Sequence, residues 1–417
     1  MKTLKIGVFG LRRGGSFFDN ILLNNGEIVA VCDMDENKLA KAKEKLPDVT
    51  TYKNFDEMLE YKGLEAVLLC NYFHEHASYA IKALEKNIHV LSECTSNSTM
   101  AEGVALVRAA EKSKAVYMLS ENYPFFKTNL ELRRVYRGGT LGKVLFAEGE
   151  YNHPVAEKDL AALHPFVKHW RNFLPRSYYI THALSPLMYM TGSTPRRVTA
   201  FGVYDPHPKG TVYRLAAEDR AAIITTLNDD DSVFRVTGCA GWGGHENSYR
   251  LCCEKGQIEA GRGRTDEVTL RYNSWEKPDE GESTRFYTPE WKDVGVDEKL
   301  AAGAGHGGGD FLIIKEFIDC VLGGKKPLFD VYFATTMASV AILAHRSLLE
   351  RGKPYDIPDF TNEEDRKKWE NDSLTPFWSS DGKAPTIRCT SRDGAYPTEE
   401  EMPAYEARLN DLLSQQK

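Results

Sequence analysis

The sequence lacks any stretch near the ~18–20 consecutive apolar residues of a membrane-spanning helix, so no helix of the chain is expected to cross a bilayer. It has no excess of positive charge. Aspartate and glutamate (60) outnumber lysine and arginine (53), giving a net charge of −7, and this sets nucleic acid aside as a main partner. None of its eight cysteines stands in a CxxC pair, which removes the commonest zinc and redox spacing. Several sit inside apolar runs such as VAVCD and VLLCN, as reduced, buried thiols do, so a reducing compartment is expected. Internal repeats and low-complexity tracts are also absent. The opening MKTLKIGVFG enters an apolar strand by about residue 4, leaving no room for a signal peptide, and a cytoplasmic location is expected.

What is present fits a soluble globular chain of two domains, with 42% apolar and 27% charged residues over 417 positions. Short, β-rich apolar runs occur at 5–10, 27–33, 65–71, 89–93 and 116–121, the pattern of buried parallel strands. Helical patterns alternate with them, for example at 74–86 and 99–114, where Val104, Val107 and Ala110 recur at helical spacing. Alternation of this kind predicts an α/β fold, with an N-terminal Rossmann-type doubly wound parallel sheet and ligands at the carboxyl ends of its strands. Beyond residue 122 the rhythm changes. Runs at 143–152, 196–204, 219–227, 232–239 and 248–261 follow one another across turn residues, predicting a C-terminal α+β domain with a large, mostly antiparallel open sheet. Helices are expected at 309–323 and 332–351, then an extended polar tail. The division expected is 1–122 for a dinucleotide domain, 123–360 for a substrate domain and 361–417 for an extension packed on the body.

GVFGLRRGGSFF follows the first strand. Counted from Gly10 it reads G-L-R-R-G-G, so Arg12 stands where the dinucleotide fingerprint has its middle glycine. An arginine there either bends the loop or sets its guanidinium on the phosphates. Asp33 ends the second strand about 20 residues on, where an acid grips the adenosine ribose hydroxyls and repels a 2′-phosphate. Together these features predict a bound NAD, in preference to NADP, on the loop Gly10, Leu11, Arg12 and Arg13.

The run IHVLSECTS ends in Glu93-Cys94-Thr95, at a strand end where chemistry is expected. A nucleophilic Cys94 would need a positive neighbour or base to form thiolate, and the nearby sequence offers none. Metal binding by His74, His76 and Cys94 lacks ligand spacing, and no metal is expected.

HEHASYAIKALEKNIHVLSE at 74–93 resembles the Gfo/Idh/MocA family, in which a dinucleotide domain precedes an α/β domain whose open sheet faces the nicotinamide. The likeness extends to about residue 360. It puts His76 on the family's histidine before the helix and Glu93 on the glutamate of its Glu-Lys-Pro strand end. Cys94 then occupies the lysine position, Thr95 the proline, and Asn71 the proline usual after the fourth strand. That lysine helps place and deprotonate the hydroxyl that becomes a carbonyl, and a thiol supplies neither its charge nor its reach.

SENYPFF, AEGEYNH, WRNFLPRSYYITHALSP, GHGGGDF and PDFT are similar to a narrower branch, the NAD-dependent α-N-acetylgalactosaminidases, which also lack the lysine. The resemblance implies cofactor contacts from Asn71, His76, Glu93, Cys94, Asn122, Trp170 and Arg171. It implies catalysis by His182 and Tyr179, within Tyr179-x-x-His182, and by Tyr151 as base. His182 would take the proton of a sugar hydroxyl as hydride leaves for NAD⁺. Tyr151 would then remove the acidified neighbouring C–H proton, given a cation, Lys168 or Arg171, to lower its reference pKa of about 10. Lys168, His153 and His306 are the expected carbohydrate contacts.

Plainer readings stand beside these: a core histidine at His182, a packing strand tyrosine at Tyr151 and a solvated basic loop at 168–176. Three functions follow. A redox-cycling glycosidase is slightly favoured over a net NAD-dependent sugar dehydrogenase, with a non-catalytic cofactor- or sugar-binding regulator third. The resemblance also implies a homo-oligomer.

Overall fold

The computed structural model describes residues 2–216, 219–278, 281–301, 304–394 and 396–415. These fall into two compact units that interleave along the chain: residues 1–131, 289–338 and 359–373 in the first, and 132–288, 339–358 and 374–417 in the second. The polar C-terminal stretch is therefore divided between them.

The first unit is built on six parallel strands: β1 (Leu4–Phe9), β2 (Gly26–Cys32), β3 (Thr50–Tyr52), β4 (Ala66–Leu69), β5 (His89–Ser92) and β6 (Tyr117–Leu119). Their order, β3-β2-β1-β4-β5-β6, is the doubly wound arrangement with its switch point between β1 and β4. Ala66–Leu69 is buried at every position, as a strand covered on both faces must be. Helix Met100–Lys112 begins with a capping box between Thr99 and Glu102 and buries Val104 and Val107. Helix Gly309–Gly323 packs against residues 18–26, where Asn24 donates to the Phe311 carbonyl at 3.4 Å. The strand Thr50–Tyr52 carries no sequence signal, because TTY has no apolar run and none of its residues is buried.

The second unit holds nine strands: β7 (Val144–Asn152), β8 (Pro195–Tyr204), β9 (Asp219–Asn228), β10 (Val233–Ala240), β11 (Glu246–Cys253), β12 (Gly256–Ala260), β13 (Val268–Tyr272), β14 (Thr284–Tyr287) and β15 (Tyr355–Asp356). Their order is β14-β13-β12-β11-β7-β10-β9-β8-β15. All pairs are antiparallel except β7 with β10, which run parallel. The apolar stretch 248–261, expected as one strand, is two strands folded back on each other, with Cys253 opposite Gly256.

One face of this sheet is covered by helix Thr181–Thr191. On the other, the buried Glu148 carboxylate of β7 receives Arg235, Arg250 and Arg262. The expected extended tail instead ends in helix Met402–Ser414, whose Tyr405, Leu409 and Leu412 pack on Ala161, Val212 and Leu215. Those three residues recur at helical spacing, which their polar flanks obscure.

Candidate active site

In the first unit, the β1–helix turn starts at Gly10, whose φ is +88 and whose added Cβ would collide with the Cys70 carbonyl. Only glycine fits there. Gly14 stands close against Val8, so the close-packing glycine of this loop is Gly14. Arg12, in the middle-glycine position, is exposed. Leu11 donates its backbone N–H to Asp33 at 2.8 Å. The same carboxylate accepts from the Asp35 N–H at 3.0 Å, so the acid that ends β2 also braces the loop.

Arg13 points into its own unit. Its guanidinium meets Asp310 through two nitrogens, at 2.9 and 2.7 Å, and Glu93 through Nε at 2.9 Å. Asp310 further accepts from Asn122 Nδ2 at 2.7 Å and meets His306 Nδ1 at 3.0 Å. Burial opposes ionisation of Asp310, but the His306 and Arg13 hydrogen bonds hold its carboxyl well below the usual carboxylate range. Burial likewise acts against the Arg13 charge, and Glu93 and Asp310 more than restore it. The network joins Gly10–Arg13, Glu93, Asn122 and the glycine-rich turn at 305–309. Asp310 is its centre and is absent from the sequence-derived set; its signal was a charged residue closing GHGGGD.

Cys94 donates its thiol to Glu121 at 3.0 Å. Glu121 is fully buried, and a carboxylate against a thiol disfavours thiolate, so the geometry opposes a nucleophilic Cys94. His76, 2% exposed, presents Nδ1 to the Thr95 carbonyl at 3.0 Å and Nε2 to the Asn71 carbonyl at 3.3 Å. Burial lowers its pKa, and its ring braces the two strand ends. Asn71 keeps its amide oxygen buried without a hydrogen-bond partner among the described residues. That orphaned acceptor beside the Gly10 turn, with the exposed Arg12 and the acid at Asp33, fits a dinucleotide. His74, His76 and Cys94 form no metal site, and the described residues contain no group of three or more His, Cys, Asp or Glu that could hold a metal ion.

In the second unit, two strand glycines bring the other candidates together. A Cβ at Gly149 would collide with the Ala183 carbonyl, and one at Gly238 with the Arg176 carbonyl. The segment 176–183 thus lies directly on β7 and β10. Tyr151, two residues past Gly149, meets Tyr179 in a stacked contact at 5.8 Å and His182 edge-on at 5.1 Å. Tyr179 and His182 meet at 5.2 Å, and His153 lies 5.5 Å from Tyr151.

His182 stands in the first turn of its helix, and Pro186, four residues on, has no N–H to return to the His182 carbonyl. The Tyr249 hydroxyl of β11 donates there instead, at 2.6 Å. His153 also contacts His245 at 4.6 Å. Burial first, then the His245 charge, lowers the His153 pKa. Neither Tyr249 nor His245 belongs to the sequence-derived set.

A cavity of about 200 Å³ opens beside this cluster, walled by Tyr151, Tyr179, His153, Arg171 and Arg176. His182 touches the two tyrosines and is not itself part of that wall. Of the two cations considered for Tyr151, Arg171 lines the cavity. Lys168 is exposed, with its ammonium 4.2 Å over the Trp378 ring. Trp170 is buried and stacks under Arg171 at 4.4 Å. His306 belongs to the first unit, on Asp310.

Comparison with known proteins agrees with this architecture. Residues 4–121 match the oxidoreductase family with an NAD-binding Rossmann fold, and residues 234–370 match the C-terminal domain of glycosyl hydrolase 109. A glycosyl hydrolase family 109 protein of Streptomyces niveus is 27% identical over 88% of this chain and 79% of its own length. The alpha-N-acetylgalactosaminidase of Shewanella oneidensis is 23% identical, over 89% and 87%. Levoglucosan dehydrogenase, solved with NADH and levoglucosan, shares the fold at a TM-score of 0.72 and 16% identity, covering 86% of this chain and 100% of that one. Myo-inositol 2-dehydrogenase from Lactobacillus plantarum does so at 0.67 and 16%, covering 85% and 100%.

Proposed function

We propose that this chain, built from a Gfo/Idh/MocA NAD-binding domain and a glycosyl hydrolase 109 C-terminal domain, is an NAD-dependent enzyme that cleaves a glycoside without net oxidation. The observation that carries the reading is a sugar-sized cavity walled by Tyr151 and Tyr179, with His182 packed edge-on against both rings. NAD, when bound, supplies a hydride acceptor that makes a ring hydroxyl a ketone and later returns the hydride. Gly10, Leu11, Arg12 and Asp33 would hold it, with Asn71, Glu93, Cys94 and Asn122 at the neighbouring strand ends and Arg13 and His76 as braces.

His182 takes the hydroxyl proton, its ring set by Tyr249 through the backbone. Tyr179 packs edge-on against His182 and orients it. Tyr151, sharing its cavity with Arg171, removes the proton beside the ketone. Acidity there rises sharply once the carbonyl forms, so the C1 substituent leaves by elimination with that proton, and water then adds back across the resulting double bond, its hydroxyl to C1 and its proton to the neighbouring carbon. His153 stands next to Tyr151, where a substrate hydroxyl would meet it.

The same site with a passive Tyr151 would be a net sugar dehydrogenase. A reducing, cytoplasmic setting is supported by eight free cysteines, and no helix among the described residues is long and apolar enough to cross a membrane. A homo-oligomer is supported by Phe201, Val203 and Leu227, all exposed on the second sheet.

The test follows aglycone and NADH absorbance together on a panel of aryl glycosides, with and without added NAD⁺. Cofactor-dependent aglycone release without NADH accumulation is the expected result. Stoichiometric NADH would transfer the chain to the dehydrogenases, and silence across the panel would overturn catalysis.

A further inference from the structure

We infer that the ring taken into this cavity carries a negative charge, a carboxylate or a sulfate or phosphate ester, received by Arg171 and Arg176. The inference rests on the sugar-handling role proposed above and specifies its substrate class. Two arginines line the cavity, and no aspartate or glutamate does so among the described residues. Arginine only donates. The wall therefore offers two cationic donors and no carboxylate among the described residues, its side-chain acceptors being tyrosine oxygens and histidine nitrogens.

Neither guanidinium makes an ion pair with a carboxylate among the described residues, although the Asp219 charge reaches Arg176. The Arg171 guanidinium carbon lies 4.4 Å from the Trp170 ring centroid, a cation–π contact that holds the group without using its N–H donors. Arg176 donates Nε to the Asp219 carbonyl at 2.9 Å and sets one terminal nitrogen 4.0 Å from Cys239 Sγ. The buried Asp219 carboxylate turns to Ser391 instead, accepting its N–H at 2.8 Å and its hydroxyl. The carboxylate's hydrogen bonds are thus made to Ser391, and only its charge reaches Arg176.

His164, hydrogen-bonded to Asn172 at 2.6 Å, is pushed down to about 3 by burial, with the charges of Arg171, His169 and Arg176 acting in the same direction. Partly buried cations without an ion-pair partner are costly, and a ligand anion matches the guanidinium fork in charge and geometry. Tyr151 and Tyr179 share the cavity, and its volume suits about one sugar ring, so the charge belongs to the reacting ring. The other available anion is the cofactor's pyrophosphate.

Calorimetry on the full chain loaded with NAD⁺ separates these sources. The ligands are methyl hexosides and N-acetylhexosaminides, the matching hexuronides, and the 6-sulfates and 6-phosphates. At least one charged ligand should bind roughly tenfold to a hundredfold tighter than its neutral parent. That ratio should fall to about twofold in Arg171→Met and Arg176→Met, with Arg176→Lys recovering part of it and NAD⁺ affinity unchanged in Arg176→Met. Whether carboxylate or ester binds tighter identifies the group.

Equal or better binding of neutral sugars, a ratio that survives both substitutions, or no binding across the panel would overturn the inference. So would variants whose defect is in NAD⁺ affinity, which would assign the arginines to the pyrophosphate. Arginine-dependent binding of charged sugars without hydride transfer would defeat the catalytic reading alone. Indiscriminate turnover of neutral glycosides would defeat the charge inference alone.

Discussion

The Tyr249 hydroxyl and the His182 carbonyl lie 2.6 Å apart, and the bond replaces one that Pro186 cannot make. A neighbouring strand thereby fixes the backbone that carries the candidate base. Tyr249→Phe removes the donor and leaves the carbonyl without it. We expect a stability loss of about 1–2 kcal/mol, read as a lower urea midpoint. A several-fold fall in kcat with little change in NAD⁺ affinity should accompany it; unchanged kcat would show that the bond only holds the fold.

His182→Ala should abolish hydride transfer, a loss of roughly 10²–10⁴ in kcat, while NAD⁺ still binds. Tyr151→Phe should separate the two halves of the reaction. Single-turnover measurements should show NADH formed from the sugar while aglycone release is lost. Wild-type turnover in either variant would remove that residue from the mechanism.

Asp310→Ala leaves the Arg13 guanidinium with Glu93 as its one carboxylate partner among the described residues and deprives Asn122 and His306 of their acceptor. Breaking such a pair should cost about 3 kcal/mol, measured by urea denaturation. NAD⁺ affinity should fall about tenfold, because the loop at Gly10–Arg13 loses its anchor. Asp310→Asn should restore part of both.

Cys94→Ser keeps a small donor facing Glu121. Its kcat/KM should stay within about threefold of wild type, since a neutral thiol contributes one hydrogen bond. Complete loss of activity would reinstate a nucleophilic Cys94.

Acid should destabilise the second unit before the carboxylate range is reached. Burial drives His345 down to about 4, although its Nε2 faces the Arg388 carbonyl at 2.8 Å. A histidine whose pKa is depressed in the fold is charged in the unfolded chain first. Stability is therefore full above the ordinary value near 6.5 and falls as pH drops from there toward about 4. The loss from His345 should be on the order of 3 kcal/mol, seen as a urea midpoint that declines between pH 7 and pH 4. The slope should shrink in His345→Gln.

Much of this architecture can be read from the chain. Val67–Leu69 and Val90–Leu91 are continuous apolar runs and announce buried strands. Gly10 and Asp33 mark strand ends by spacing, and Glu93 by closing an apolar run. What escapes such reading depends on partners distant in sequence. The direction of Arg13 is set by Asp310, 297 residues away. Arg176 looks like one cation in a basic loop until Gly238 allows its backbone onto β10. Pro186 reads as a helix interruption, and only Tyr249 shows what the interruption is for.

The interleaving of the first unit bears on how the chain is made. Its six-stranded sheet is complete once residue 119 has left the ribosome, yet Arg13 has no Asp310 until the whole second sheet except β15 has been synthesised. For most of translation the nascent chain can offer the Arg13 cation Glu93 but not Asp310. A fragment cut near residue 122 would keep every strand of that sheet and Glu93, and would lack the second acid, Asp310, that meets the guanidinium through two nitrogens.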